Sequence, residues 1–64
     1  MIQKLRTEMD AKTRTDLTRR LASAAGHIKG IERMVAEDAY CIDIIKQIQA
    51  VQSALHKVNT LMLE

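Results

Sequence analysis

The chain has no Trp, Phe or Pro, one Cys, one Tyr and two Gly among its 64 residues. Each shortage excludes something. Without Pro, nothing rigid interrupts a helix from within. A single Cys cannot form an internal disulfide, and an unpaired thiol fits a reducing compartment. No apolar run approaches the roughly 18 residues that a spanning helix needs, and the charged start "MIQKLRTEMD" lacks the apolar centre of a signal peptide. The expectation is a cytoplasmic chain with no membrane partner. The usual parts of an enzyme are missing too. There is no Gly-rich phosphate loop, no HxxxH or CxxC pair and no Ser/His/Asp set. Cys41 and His56 are a nucleophile–base pair only on paper. On one helix, at about 1.5 Å per residue, they lie roughly 22 Å apart and cannot meet within a chain. A non-enzymatic role is expected.

What is present is aliphatic. Hydrophobic residues make up 47 % of the chain, and only one of them is aromatic. A chain this small buries only about 60 % of the surface its unfolded form exposes, so it needs a staple, a metal or a partner. Long helices that bury their faces against other chains answer both facts, and an oligomer is expected.

Two helical periods are legible. Leu17, Leu21, Ala24, Ile28, Ile31 and Val35 follow alternating steps of four and three, as do Ile44, Ile48, Val51, Leu55, Val58 and Met62. Thr13 with Asp16 three residues later resembles a capping box, and Asp38 has the chemistry of an N-cap. These signals predict helices over about 13–36 and about 39–63, with residues 1–10 fraying from or extending the first. The short joint at 36–39 predicts an antiparallel hairpin. The fold class is therefore all-α, one domain over 1–64, the hairpins pairing into a four-helix bundle and further into a dimer of dimers. Gly26 and Gly30 inside the first helix each cost about 1 kcal/mol relative to Ala, and with Ala22 and Ala25 they suit the close approach of another backbone.

Charge is unevenly placed. Residues 1–30 carry seven Lys or Arg against three acids, and residues 31–64 carry three against five, so a net +2 divides into +4 and −2. Lys12, Arg19 and Arg33 share one heptad position, with Gly26 in the gap between the two arginines and Arg20 and His27 beside them. This stripe is either an ordinary solvated face or a surface for phosphates. No helix-turn-helix is present. Cys41, directly after Tyr40, falls in the first turn of the second helix on its apolar stripe. Many free Cys are simply small buried hydrophobes. His27 and His56 are candidate ligands or pH sensors, and equally ordinary surface or interfacial side chains.

The ordered set Arg20-Leu21, Gly26 to Met34, Tyr40-Cys41-x-Asp43-Ile44, Gln47 to Val51 and Ala54 to Val58 resembles the core of the CsoR/RcnR family of bacterial repressors. The likeness covers about 45 residues without a gap, and its specific part is the Tyr-Cys-x-Asp-Ile block. The resemblance implies an all-helical dimer of dimers that binds operator DNA without a helix-turn-helix and releases it when a transition metal binds. It implies that Cys41 is a metal ligand between subunits, with Tyr40 behind it, and that Arg20 and Lys57 occupy positions associated with DNA. Its further ligands would come from the partner, at positions 66 and 70. Crossing two copies of the second helix near Ala54 sets Cys41 opposite that region.

This sequence stops at Glu64, before those positions and before the family's third helix, while its stripe runs to Met62 without a stop signal; it reads as a piece of a longer chain. Other departures are Ala25-Gly26-His27, where the family often has an acid-Gly-Gln turn, Gln52 in place of a common basic residue, and Ile2 in place of the Pro of formaldehyde-responsive members. The expected function is a metal-sensing repressor, with copper(I) first because thiolate is a soft ligand and Ni(II), Co(II) or Zn(II) behind it. The expected nucleic-acid residues are Lys12, Arg19, Arg20, Arg33 and Lys57. Two alternatives stand beside it: a thiol- or persulfide-responsive repressor of the same family, and a helical assembly module that does not bind DNA.

Overall fold

A computed structural model describes residues 10–63, and they form two helices, α1 (Ala11–Ala36) and α2 (Cys41–Leu63), folded against each other as an antiparallel hairpin. The behaviour expected of residues 1–9 lies outside the described residues. Both helices follow the predicted periods, but their ends differ from the sequence reading.

α1 begins two residues earlier than the Thr13 cap. Asp10 is extended at φ −75° and ψ 172°, and its carboxylate accepts the Thr13 amide at 2.9 Å. Asp outcompetes Thr because its charged acceptor also meets the positive end of the helix dipole. Thr13 is already inside the first turn, and Asp16 is free for other work.

Asp38 is not the cap of α2. It lies just past the end of α1 in the left-handed region, at φ 57°. The Asp38 amide reaches the Val35 carbonyl at 3.2 Å, and the Ala39 amide reaches back to Met34 at 2.9 Å. This pair of bonds is a Schellman closure, which normally takes Gly at the left-handed position. Asp tolerates that conformation better than most side chains do. α2 therefore starts at Cys41, and the Tyr40 carbonyl takes the amides of Asp43 and Ile44 at 3.0 and 3.2 Å. Asp43 places negative charge in the first turn, as the dipole favours.

The core is thin. Leu17, Ala24 and Ile31 of α1 meet Val51 and Val58 of α2, and each is 9 % exposed or less. These residues are spaced by seven, so only one heptad position of each predicted stripe lies at the centre of the seam. The other position does not. Leu21, Ile28 and Val35 are 46, 49 and 57 % exposed, and Ile48, Leu55 and Met62 also stand open. Two helices can enclose one row of side chains on each, and the flanking rows remain at the surface until something further covers them. The close approach expected at Gly26 and Gly30 is not made within the chain: no atom comes within 4 Å of a Cβ placed at either.

Candidate functional site

The seam divides the hairpin into two sides. On one, the flanking positions are His27 on α1 and Gln47 on α2. His27 Nε2 donates to Gln47 Oε1 at 2.6 Å, the side-chain bond that ties the helices together. Both residues are half-buried. On the other side lie Leu21, Ile28 and Val35 of α1 with Ile48, Leu55 and Met62 of α2. These residues are three or four positions from the buried row, in the opposite rotational sense from His27 and Gln47. The result is a continuous aliphatic face on one side and a polar face on the other.

The polar side gathers the basic residues. Asp16, Arg19, Arg20, Ser23, His27 and Ala54 line one open groove across the two helices. Lys12 joins from the adjoining groove, which shares Asp16 and Arg19. At its centre, Arg20 Nε donates to Asp16 Oδ2 at 3.1 Å, and Arg19 Nη2 donates to Oδ1 at 3.4 Å. The hydrogen bond from Arg20 is the largest influence holding the Asp16 carboxyl below its ordinary value. Desolvation opposes it as the next influence, and the hydrogen bond of Arg19 and the charges of both arginines add to the lowering. Lys57 is one turn beyond Ala54 on α2, exposed on the same side. Arg33 stands apart, past the open backbone at Gly26 and Gly30, beside the Lys29–Glu32 pair at 3.5 Å. The structure thus brings Lys12, Arg19 and Arg20 together, keeps Lys57 on the second helix outside the lining of the groove, and leaves Arg33 at the far end of α1.

The sequence reading missed three contributors. It read Asp16 as part of a cap, although the four-residue spacing to Arg20 is itself an ion-pair signal. It did not connect His27 to Gln47, because a pairing between helices depends on their register and not on spacing along the chain. It also passed over Lys46, exposed on α2, eleven residues before Lys57 and so about three turns away on the same side.

Cys41 lies on the aliphatic side. It is exposed and free, at the first turn of α2, and Ile45 and Ile48 follow it one and two turns along that flank. Tyr40 is 70 % exposed and contributes its carbonyl to the start of the helix. His56 is exposed, and its carbonyl accepts the Thr60 hydroxyl at 3.0 Å. Among the described residues there is no group of three His, Cys, Asp or Glu able to hold a metal ion. Cys41 is thus a single soft donor within one hairpin, and a metal site there needs donors from elsewhere. No described helix is long and apolar enough to cross a membrane.

Residues 13–64 match the model of a family described as metal-sensitive transcriptional repressors. The chain is 52 % identical over 56 residues to a copper-sensing transcriptional repressor CsoR of Mycobacterium bovis, covering 88 % of this chain and 46 % of that protein. It is 43 % identical over 54 residues to the copper-sensing repressor CsoR of Bacillus subtilis, covering 84 % and 54 %. Over 46 residues it is 48 % identical to the copper-sensing repressor RicR of Mycobacterium tuberculosis, covering 72 % and 48 %. The chain spans about half the length of these curated relatives.

Proposed function

Because this chain belongs to the family of metal-sensitive transcriptional repressors, a family of regulators and not of enzymes, we propose that it is the helical body of a repressor that binds operator DNA and lets it go on sensing copper(I). The observation that carries this reading is the two-sided hairpin. A basic side (Lys12, Arg19, Arg20 and Lys57) lies opposite an aliphatic side that holds the only thiol. The relatives at 43 to 52 % identity are named as copper sensors, and a thiolate suits copper(I) better than it suits harder ions. Ni(II), Co(II) and Zn(II) are the other ions of the reading.

The aliphatic side is where a second copy packs. Leu21, Ile28, Ile48 and Leu55 are too many to leave in water on a hairpin whose core is five small or medium side chains. Two hairpins joined there form a four-helix bundle, and bundles associate further into a dimer of dimers. This arrangement leaves the basic sides outward. Cationic side chains on such a surface read phosphates, and phosphate contacts set position and affinity without reading sequence. Cys41 borders the shared face, so its missing co-ligands belong to the partner or to residues beyond those described. Tyr40 flanks that junction. Bound there, the metal would supply a bond between subunits. Metal and DNA then act on one assembly, and any weakening of DNA by metal must be matched by weakening of metal by DNA.

The test uses the full-length protein with labelled duplex DNA. Affinity is expected to fall steeply with salt, and copper(I) is expected to release the duplex. Salt-independent retention, or none, would favour an assembly module. Release by inorganic polysulfide, which passes one sulfane sulfur to the thiolate and leaves as the shortened polysulfide so that the thiol gains the mass of one sulfur, and none by metal, would favour a persulfide-responsive repressor.

A further inference from the structure

We propose that Asp16 is a built-in competitor of DNA phosphate, occupying the two arginines of the basic groove when no duplex is bound. The inference rests on the DNA-binding reading above and concerns the regulation of that same surface. One carboxylate accepts from both guanidinium groups, with Oδ2 on Arg20 and Oδ1 on Arg19. A phosphate group would take the same two donors with the same geometry, since both anions offer paired oxygens to the guanidinium fork. Asp16 has no other assignment. It is not the helix cap, because Asp10 holds the Thr13 amide. It touches no core residue through a polar bond, and ion pairs this exposed contribute little to folding.

The surroundings suit an incoming anion. Ser23, an exposed hydroxyl residue, lines the same groove, and so does His27 with Nε2 already committed to Gln47. The groove opens on the side away from the aliphatic face, so association of hairpins through that face leaves it clear. Arg19, at 74 % side-chain exposure, can swing to a phosphate, whereas Arg20, at 42 %, is held closer to the seam. On binding, the phosphate replaces the carboxylate on the guanidinium groups, and Asp16 remains nearby as an unmatched negative charge. Asp16 thus lowers affinity for every duplex alike. It keeps non-specific binding weak and leaves discrimination to contacts elsewhere.

The experiment is a salt titration of DNA binding by full-length wild type, Asp16→Asn, Arg20→Ala and the double variant, on a labelled duplex of mixed sequence. Asp16→Asn is expected to bind about five- to tenfold more tightly near 0.1 M salt and to steepen the slope of log K against log salt by about 0.9, the value of one further phosphate contact. In the double variant, compared with Arg20→Ala, that gain should shrink by half or more, because the closer partner of Asp16 is gone and only Arg19, at 3.4 Å, is left to be freed. Circular dichroism should show the helices unchanged in all four proteins. Unchanged or weaker binding by Asp16→Asn overturns the proposal and makes the carboxylate a positioning group for Arg20, or inert. A gain undiminished in the double variant overturns it as well, since the effect would then be general charge. Absence of any salt-dependent binding by wild type overturns both this inference and the repressor reading, whereas wild-type binding without the Asp16→Asn gain overturns the inference alone.

Discussion

At the scale of single residues, position decides which side chains have work to do. Arg20 combines an ion pair, partial burial and a groove shared with the second helix. Arg20→Ala should weaken duplex binding about uniformly across sequences and flatten the salt slope by about one phosphate contact, with little loss of helix content; an anisotropy titration checks it. Cys41 is exposed at a helix start and makes no packing contribution to the five-residue core. Cys41→Ala should therefore keep oligomer and DNA affinity while abolishing the response to copper(I), and loss of DNA binding would make the residue structural. Asp10 and Asp16 supply an acid dependence. Both carboxyls sit below the ordinary 3.8, Asp10 chiefly through its hydrogen bonding with Thr13 and Asp16 chiefly through Arg20. A lowered folded value means stability that is fully present above the unfolded value and lost as pH falls through the folded one. Thermal midpoints should drop below about pH 4. Asp10→Asn, which keeps a capping oxygen, should show a shallower drop when melts are compared at pH 5 and pH 3.

At the scale of the element, the turn between helices carries the most local strain. Asp38 takes a left-handed conformation that Gly adopts freely. Asp38→Gly is expected to raise stability by about 0.5–1 kcal/mol, the left-handed cost it removes offset in part by the freer unfolded chain. Asp38→Val should lower it by more than about 1 kcal/mol, because a β-branched side chain fits that region poorly. Urea melts of the two variants decide the matter. The helices themselves were plainly written in the sequence, since two uninterrupted apolar periods without Pro leave few other folds. Their ends were less legible. Thr13 and Asp38 both carry capping chemistry, but a better donor–acceptor arrangement lay three residues earlier, at Asp10, in one case and a Schellman closure took the residue in the other. Local spacing ranks such competitors poorly, because each end is fixed by hydrogen bonds that only the folded turn defines.

At the scale of the whole molecule, the hairpin leaves one of its apolar sides open among the described residues. Its seam encloses one heptad row from each helix, and the aliphatic side bearing Leu21, Ile28, Ile48 and Leu55 is uncovered within the chain. Leu55→Glu places a charge in the middle of that side. Under the proposed function it should convert the oligomer to monomer by sedimentation and lower helicity with it, because a hairpin of this size has little core of its own. An unchanged oligomer would move the interface elsewhere. Under the proposed function, association and DNA contact need not compete, because the aliphatic and basic sides lie on opposite sides of the seam.

The sequence by itself determined the helical class, the two periods, the excess of aliphatic surface and the lone thiol beside Tyr40, and its ordered motif pointed to the family that the comparisons then established. These are properties of spacing and composition, and spacing is preserved in any fold the chain adopts. Tertiary structure alone decided which half of each apolar stripe is buried, that His27 bonds to Gln47, and that Asp16, Arg19, Arg20 and Ala54 meet at one groove. Those facts depend on how far one helix is rotated and slid against the other. That register is set by the fit of Leu17, Ala24 and Ile31 against Val51 and Val58, a packing of surfaces that no one-dimensional period contains.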